Sequence, residues 1–253
     1  MLALKLLLVP SFLLVLSLVG KHFGPSISGW LAGLPVVAGP ILLVLALENG
    51  GPFAAVAAAA ATGAVFASVS FCLVYAHVSQ RFGWFASLAA ALVAWMAAVT
   101  LLIPTSGSVT VGLAVAIGTV VLAPRLFPVV VQTAGTRHPS AAELLLRMAV
   151  GAALTVGVTV AAATVGSSWS GVLAVFPVLG SVLAVSSHRT SGAAFSSALL
   201  RAMTTGLYSF IAFCATLAVA LPKLSVSWAF LVAVAACLLV HAGTGRRFAR
   251  SDA

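Results

Sequence analysis

One arginine and a group of hydroxyl side chains have types and spacing suited to binding a polar ligand in apolar surroundings. Arg201 lies about eight residues into an apolar segment, and Thr204, Tyr208 and Ser209 follow within about two helical turns. A charge at that depth in a membrane helix is costly and usually faces a bundle interior or a water-filled cavity. The pattern predicts a cationic anchor for an anionic or polar ligand; the alternative is that Arg201 extends to lipid headgroups.

Two proline-centred motifs suggest a second kind of site, built from the backbone. Pro35 and Pro177 each lie inside an apolar run, and Gly39 and Gly180 follow them by three or four residues. An internal proline removes one helical hydrogen bond and clashes with the preceding turn. In lipid the freed groups need other partners, and half-helix N-termini at such breaks attract anions. We predict substrate-binding helix breaks here; the alternative is a simple kink with glycines for close packing.

Catalytic groups are scarce in this chain. The carboxylates are Glu48, Glu143 and Asp252, and none falls in the middle of an apolar segment. Acid–base catalysis and carboxylate-based proton coupling need such groups within the membrane. The three cysteines lack metal-ligand spacing, and neither HExxH nor GxSxG occurs. We therefore predict that the protein is not an enzyme and has no cofactor and no metal.

The elements that must position these residues are membrane helices. Hydrophobic residues make up 62% of the chain and charged residues 6%. Because a helix needs about 20 apolar residues to cross a bilayer, the chain is predicted to be an all-α integral membrane protein with nine transmembrane helices. The predicted spans are 3–20, 29–47, 53–78, 84–103, 108–124, 142–164, 170–187, 194–220 and 226–243.

The distribution of positive charge predicts an orientation. Nine spans place ten of the 12 Lys and Arg residues at or near one face and leave only Lys5 and Lys223 on the other. This asymmetry accounts for the net charge of +9 without a nucleic-acid partner and predicts a multi-pass membrane protein with its basic face in the cytoplasm, N-terminus out and C-terminus in. The ten are Lys21, Arg81, Arg125, Arg137, Arg147, Arg189, Arg201, Arg246, Arg247 and Arg250.

An internal repeat organises the chain. Residues 24–79 align without a gap on 166–221, an offset of 142, and 15 of the 56 positions are identical, with Thr62 on Thr204 and Pro35 on Pro177. We predict two inverted four-helix repeats joined by a central crossing helix, with a shared site near the midplane. The single membrane domain, 1–253, would comprise repeat one (1–103), a connecting helix and cytoplasmic linker (104–142), repeat two (143–245) and a basic tail (246–253).

Short motifs in each repeat resemble the GlpM-type bacterial membrane proteins, which are about half this length. Ala32-Gly33-Leu34-Pro35 matches one element, and Phe176-Pro177 with Arg189-x-x-Gly192 matches another, ahead of Arg201 and Tyr208. The resemblance covers about 55 residues at a time, and the first repeat lacks counterparts of Arg189 and Arg201. It implies an inner-membrane location, a link to the cell envelope and a half-length ancestor that acted as a dimer.

Together these patterns favour a secondary transporter or facilitator for a small polar or anionic solute, with its site at the repeat interface. Alternatives are a non-enzymatic membrane subunit or a flippase for lipid-linked envelope precursors. The expected partners are the solute, membrane lipids and a second copy or another membrane protein. The predicted substrate-binding residues are Arg201, Thr62, Thr204, Tyr208, Ser209, Pro35, Gly39, Pro177 and Gly180.

Overall fold

The computed structural model describes residues 2–102, 108–130, 140–164, 172–173 and 175–251. The regular secondary structure of these residues is helical throughout, which confirms the all-α prediction. The helices are α1 (Leu2–Ala32), α2 (Ala38–Asn49), α3 (Gly51–Gly63), α4 (Val65–Val78), α5 (Trp84–Leu102), α6 (Val109–Leu126), α7 (Ala141–Thr164), α8 (Val178–Ala220) and α9 (Val226–Ser251).

The described part of the chain contains six helical stretches long and apolar enough to cross a membrane, as expected of a helical membrane protein. The predicted spans 29–47 and 170–187 are not continuous helices, because the backbone leaves helical geometry around Pro35 and Pro177. Helix α9 continues to Ser251 through most of the predicted basic tail. The six stretches are Gly51–Val78, Trp84–Leu102, Val109–Leu126, Ala141–Val158, Val178–Ala220 and Val226–Gly245.

Glycine hinges divide two of the helices into antiparallel segments. Gly24 in α1 has φ 82° and ψ 178°, and Gly192 in α8 has φ 86° and ψ 174°. The chain reverses direction at Gly192. The evidence is that the Ser196 hydroxyl donates to the carbonyl of Ala184 at 3.1 Å, whereas 12 residues of straight helix would separate these groups by about 18 Å. We name the segments α1a (2–23), α1b (25–32), α8a (178–191) and α8b (193–220).

Replacing Gly192 with alanine is expected to lower the free energy of unfolding by about 1–3 kcal/mol, because its backbone region is essentially restricted to glycine. An added Cβ has open space within 4 Å, so the loss would come from the backbone alone. Gly243→Ala in α9, which also has open space, is the control and should be neutral or stabilising. Unfolding midpoints in an SDS titration measure both; equal midpoints would contradict the hinge argument.

The two broken helices share one hydrogen-bond pattern. At each break, the N–H of the residue after the proline donates to the carbonyl two residues earlier in the chain. The second half-helix then starts with a bond from the N–H four residues after the proline to the proline carbonyl. Every bond in one break has its counterpart 142 residues further on, and Gly50, the mate of Gly192, has φ 87° and ψ 165°. The pairs are Gly33–Trp30 with Val175–Val172, Leu34–Leu31 with Phe176–Leu173, Val36–Leu34 with Val178–Phe176, and Gly39–Pro35 with Ser181–Pro177.

The core lies around α3–α4 and α8b, and the remaining spanning helices surround them. In the most apolar 18 residues of 51–78, 72% of the residues are buried, and in those of α8, 67%; the corresponding share in α5, α6, α7 and α9 is 22–28%. Two aromatic rings make contacts between the two repeats: Phe71 packs beside Gly180, and Phe213 packs beside Gly39. The second half-helix of each break is therefore held by the opposite half of the chain.

Candidate substrate site

A small central cavity of about 50 Å³ lies between the two breaks. The adjoining half-helices, α2 and α8a, begin after Val37 and Pro177, and neither N-terminus has a side-chain cap. Uncapped helix N-termini carry partial positive charge and free N–H groups, which favour anions. The volume suffices for a few water molecules but not for a larger solute. Its lining includes Ala32, Gly33, Leu34, Val37, Ala38, Ser68, Val175, Phe176, Pro177, Val178, Leu179 and Gly180.

A larger cavity of about 320 Å³ lies between α5, α7 and α8a, and we call it the arginine cavity. Charged and hydroxyl side chains line one end, and apolar side chains line most of the rest. Its residues are Trp84, Leu88, Glu143, Leu146, Arg147, Val150, Leu154, Ser181, Val182, Val185, Ser186, Arg189 and Thr190.

Arg147 is the buried cation of this cavity, with 9% of its surface exposed. One terminal guanidinium nitrogen donates to Ser17 Oγ of α1a at 3.3 Å and the other to Thr190 Oγ1 of α8a at 3.4 Å. Its Nε is buried without a hydrogen-bond partner among the described residues. Long hydrogen bonds to neutral hydroxyls compensate a buried charge poorly. The guanidinium is therefore placed to gain from an anion in the cavity.

Ser181 connects the arginine cavity to the helix break. Its side chain is 6% exposed, and its hydroxyl makes no hydrogen bond within the described part of the chain. Its neighbour Gly180 lines the central cavity, so the two cavities are separated by the first turn of α8a. An unsatisfied buried hydroxyl costs about 1–3 kcal/mol. Ser181 can therefore donate to a ligand or water that reaches this depth.

The outer end of the arginine cavity holds a second cation beside an aromatic ring. Arg189 Cζ lies 5.6 Å from the centroid of Trp84, a cation–π geometry. Glu143 also lines this end; its carboxylate accepts the backbone N–H of Ser140 at 2.8 Å, while the Ser140 hydroxyl accepts the Glu143 N–H at 3.3 Å. This capping box starts α7. With Arg147, Arg189 and Glu143 ionised, the cavity has a net charge of +1.

Thr62 and Thr204, which the internal repeat pairs and which we predicted to bind substrate, lie outside both cavities. Thr62 and Thr204 are both fully buried, but their hydroxyls donate to carbonyls of their own helices, of Ala58 at 2.9 Å and Arg201 at 2.7 Å. Neither residue lines either cavity. Such back-bonding is a common way for threonine to satisfy its hydroxyl in an apolar helix. In the structure, both hydroxyls are therefore satisfied within their own helices without a ligand.

Two other predicted residues belong to a separate cluster or to the core. Ser209 Oγ is hydrogen-bonded to His241 Nδ1 at 2.8 Å, and the His241 ring stacks on Trp30 at a centroid distance of 3.8 Å. Tyr208 is half-buried and packs against the hydrophobic core. Trp30 lies in α1b just before the first break, and its Nε1 donates to Thr244 Oγ1 at 3.1 Å. This cluster therefore attaches α9 to the first broken helix.

Arg201 is exposed on the outside of α8b and lines neither of these cavities. Its position fits the headgroup alternative, because the exposed surface of a spanning helix faces lipid. Sequence reasoning missed Arg147, Arg189 and Ser181 as site residues. Ser181 had a usable signal, since a hydroxyl four residues after an intramembrane proline lies in the first turn of the new half-helix.

Of the predicted break residues, Pro177 and Gly180 line the central cavity. Pro35 lies at the first break and Gly39 one turn later, but that break reaches the cavity through Gly33, Leu34, Val37 and Ala38 instead. Among the described residues, no three His, Cys, Asp or Glu side chains lie together as metal ligands would. Comparisons of the chain with family models, with curated proteins and with solved structures find no match.

Proposed function

We propose that this protein moves an anionic substrate across the bacterial inner membrane, as a secondary transporter or facilitator. The observation that carries the proposal is the pair of uncapped half-helix N-termini, of α2 and α8a, at one central cavity. Each terminus is equivalent to about half an elementary positive charge. Two such termini facing one cavity in a low-dielectric bundle favour an anion there over a cation or neutral solute.

The internal repeat supports alternating access to that cavity. In the proposed topology α1a, the two broken helices and the other helices make nine crossings, with the halves inverted. The matched hydrogen bonds at the breaks and the matched hinges at Gly50 and Gly192 support this arrangement. Inverted repeats typically place the substrate between broken helices and open to one side at a time by rocking one repeat against the other.

In this interpretation the protein rests in an inward-open state. The arginine cavity lies at the end of the bundle where α7 begins, which the positive-inside rule assigns to the cytoplasm. An anion would meet Arg189 first, then Arg147, and reach Ser181 at the first turn of α8a. The small volume of the central cavity fits a state in which the substrate has not yet moved past this turn.

Making the helix continuous at the second break should stop transport. Pro177→Ala supplies the missing N–H and removes the ring clash, so we expect at least tenfold slower flux through proteoliposomes. The substrate panel is inorganic phosphate, short carboxylates and alkyl phosphates of increasing chain length. Pro222→Ala, at an exposed turn between α8 and α9, is the control. A panel that crosses no faster than in protein-free liposomes, or a Pro177→Ala variant as fast as the control, would reject the proposal.

A further inference from the structure

The three helices around the arginine cavity share one polarity gradient. On α7, Glu143 and Arg147 precede Val150 and Leu154; on α5, Trp84 precedes Leu88 by one turn. On α8a, which runs the opposite way, the order is reversed, so its hydroxyl and basic residues lie toward its end. Apart from the Ser181 hydroxyl at the inner end, charged and hydrogen-bonding groups therefore lie at one end of the cavity, and apolar side chains line the interior. Those on α8a are Ser181, Val182 and Val185, then Ser186, Arg189 and Thr190.

The cavity wall is continuous with the lipid-facing surface. Leu146 and Val150 line the cavity, yet they are 55% and 42% exposed, and both lie on the spanning helix α7. Helices α5 and α7 each pack on α8 but make little contact with each other. The exposed surface of a spanning helix faces hydrocarbon. The cavity therefore has a side opening between α5 and α7 at the level of the lipid chains.

This geometry favours an amphiphile over a free ion. A hydrated anion placed against Leu146, Val150 and Leu154 would lose solvation without gaining partners there. An alkyl chain along the same wall would instead fill apolar space, while an anionic head could reach Arg147 and Arg189. Arginine suits such a head, because its guanidinium matches phosphate and carboxylate oxygens.

We propose that the arginine cavity binds an amphiphilic anion, a phosphate-type head carrying an apolar chain, that enters sideways from the cytoplasmic leaflet between α5 and α7. The head would lie between Arg147 and Arg189, and the chain along Leu146, Val150 and Leu154. This inference rests on the proposed transport function and specifies its substrate class. Lateral entry explains why a cationic site has a wall that is open to lipid.

Ligand-induced thermal stabilisation of the purified protein in maltoside detergent tests the proposal. The probes are decyl phosphate, inorganic phosphate and decyl maltoside, at matched ionic strength. We expect decyl phosphate to bind at least tenfold more tightly than inorganic phosphate, and decyl maltoside to give no saturable shift. Arg147→Gln should weaken decyl phosphate at least tenfold, whereas Arg201→Gln, at an exposed arginine outside the cavity, should change it less than twofold.

A second pair of variants tests the chain-binding wall without touching the arginines. Val150→Trp would fill the cavity from α7 and should weaken decyl phosphate at least fivefold. Val160→Trp, on the same helix and 56% exposed outside the cavity, should leave it unchanged. Equal weakening by both variants would overturn the assignment of the chain to this wall.

The outcomes separate this inference from the proposed function. If inorganic phosphate binds as tightly as decyl phosphate and Arg147→Gln abolishes both, the amphiphile is wrong and the anion site stands. If decyl phosphate stabilises wild type and Arg147→Gln equally, the chain partitions without a site and the inference fails. If neither phosphate binds saturably, the cavity is not an anion site, and both this inference and the anionic route through it fail.

Discussion

Arg147→Gln is expected to weaken anion binding strongly while leaving the folded protein at least as stable as wild type. A hydrogen bond to a charged group contributes about 1.5–3 kcal/mol, so losing it weakens binding by roughly ten- to a hundredfold. Stability should not fall, because the guanidinium's hydrogen bonds to Ser17 and Thr190, at 3.3 and 3.4 Å, go to neutral hydroxyls, and its Nε has no partner among the described residues. The Glu143 carboxylate one turn earlier attracts the guanidinium, but it also caps the start of α7 and keeps that role in the variant. Removing a poorly compensated buried charge offsets the lost hydrogen bonds.

Dissociation constants and unfolding midpoints of the same preparations measure the two effects. Arg201→Gln is the matched control, since it removes the same charge from an exposed position. A variant that binds anions normally but unfolds several degrees earlier would show that Arg147 is a structural bridge between α1a, α7 and α8a. Opposite movement of binding and stability is typical of a site residue.

Gly206→Ala is expected to cause the largest loss of stability, about 3 kcal/mol, at the upper end of the usual cost of overpacking. A Cβ on Gly206 would overlap the carbonyl oxygen of Trp30 and lie 2.9 Å from the Cα of Gly33. These obstacles are backbone atoms, so no change of rotamer can relieve the overlap. Helices α1b and α8b would have to separate, and the first break would lose its support.

Gly118→Ala in α6 is the control for this substitution, because the new Cβ has open space and the residue is exposed. Alanine is the better helix former, by about 0.8–1 kcal/mol, so this variant should be slightly stabilised. Folded yield and the SDS unfolding midpoint report the difference. If Gly206→Ala matches Gly118→Ala, the close contact of α1b with α8b is wrong.

The sequence predicted well those features that depend on local chemistry along the chain. Apolar runs required membrane helices, and the prolines at 35 and 177 marked the places where the helices break. The repeat paired Gly50 with Gly192, and both adopt the same positive-φ conformation. Apolar length and the comparison of the two repeats are properties of the linear chain, which explains why the sequence alone shows them.

Which side chains face the interior was decided by the tertiary structure. Most helices here are apolar on all sides, so hydrophobic periodicity cannot distinguish a lipid-facing from a buried position. Arg201 and Arg147 lie at similar depths in the sequence, yet the first is exposed and the second is buried between α1a and α8a. The sequence left open whether Arg201 faces the interior or extends to the headgroups, and its exposed position in the structure agrees with the second alternative.

The sequence likewise could not show which hydroxyl groups are free to bind a ligand. Thr62 and Thr204 looked like ligands from their pairing, but only the structure shows that each bonds a carbonyl of its own helix. Ser181 has no such partner among the described residues and borders the arginine cavity. The sequence by itself determined that this is a helical membrane protein and where two helices break, because those features follow from apolar length and local backbone chemistry. Only the packing of distant helices decided where the cavities lie and which polar groups face them.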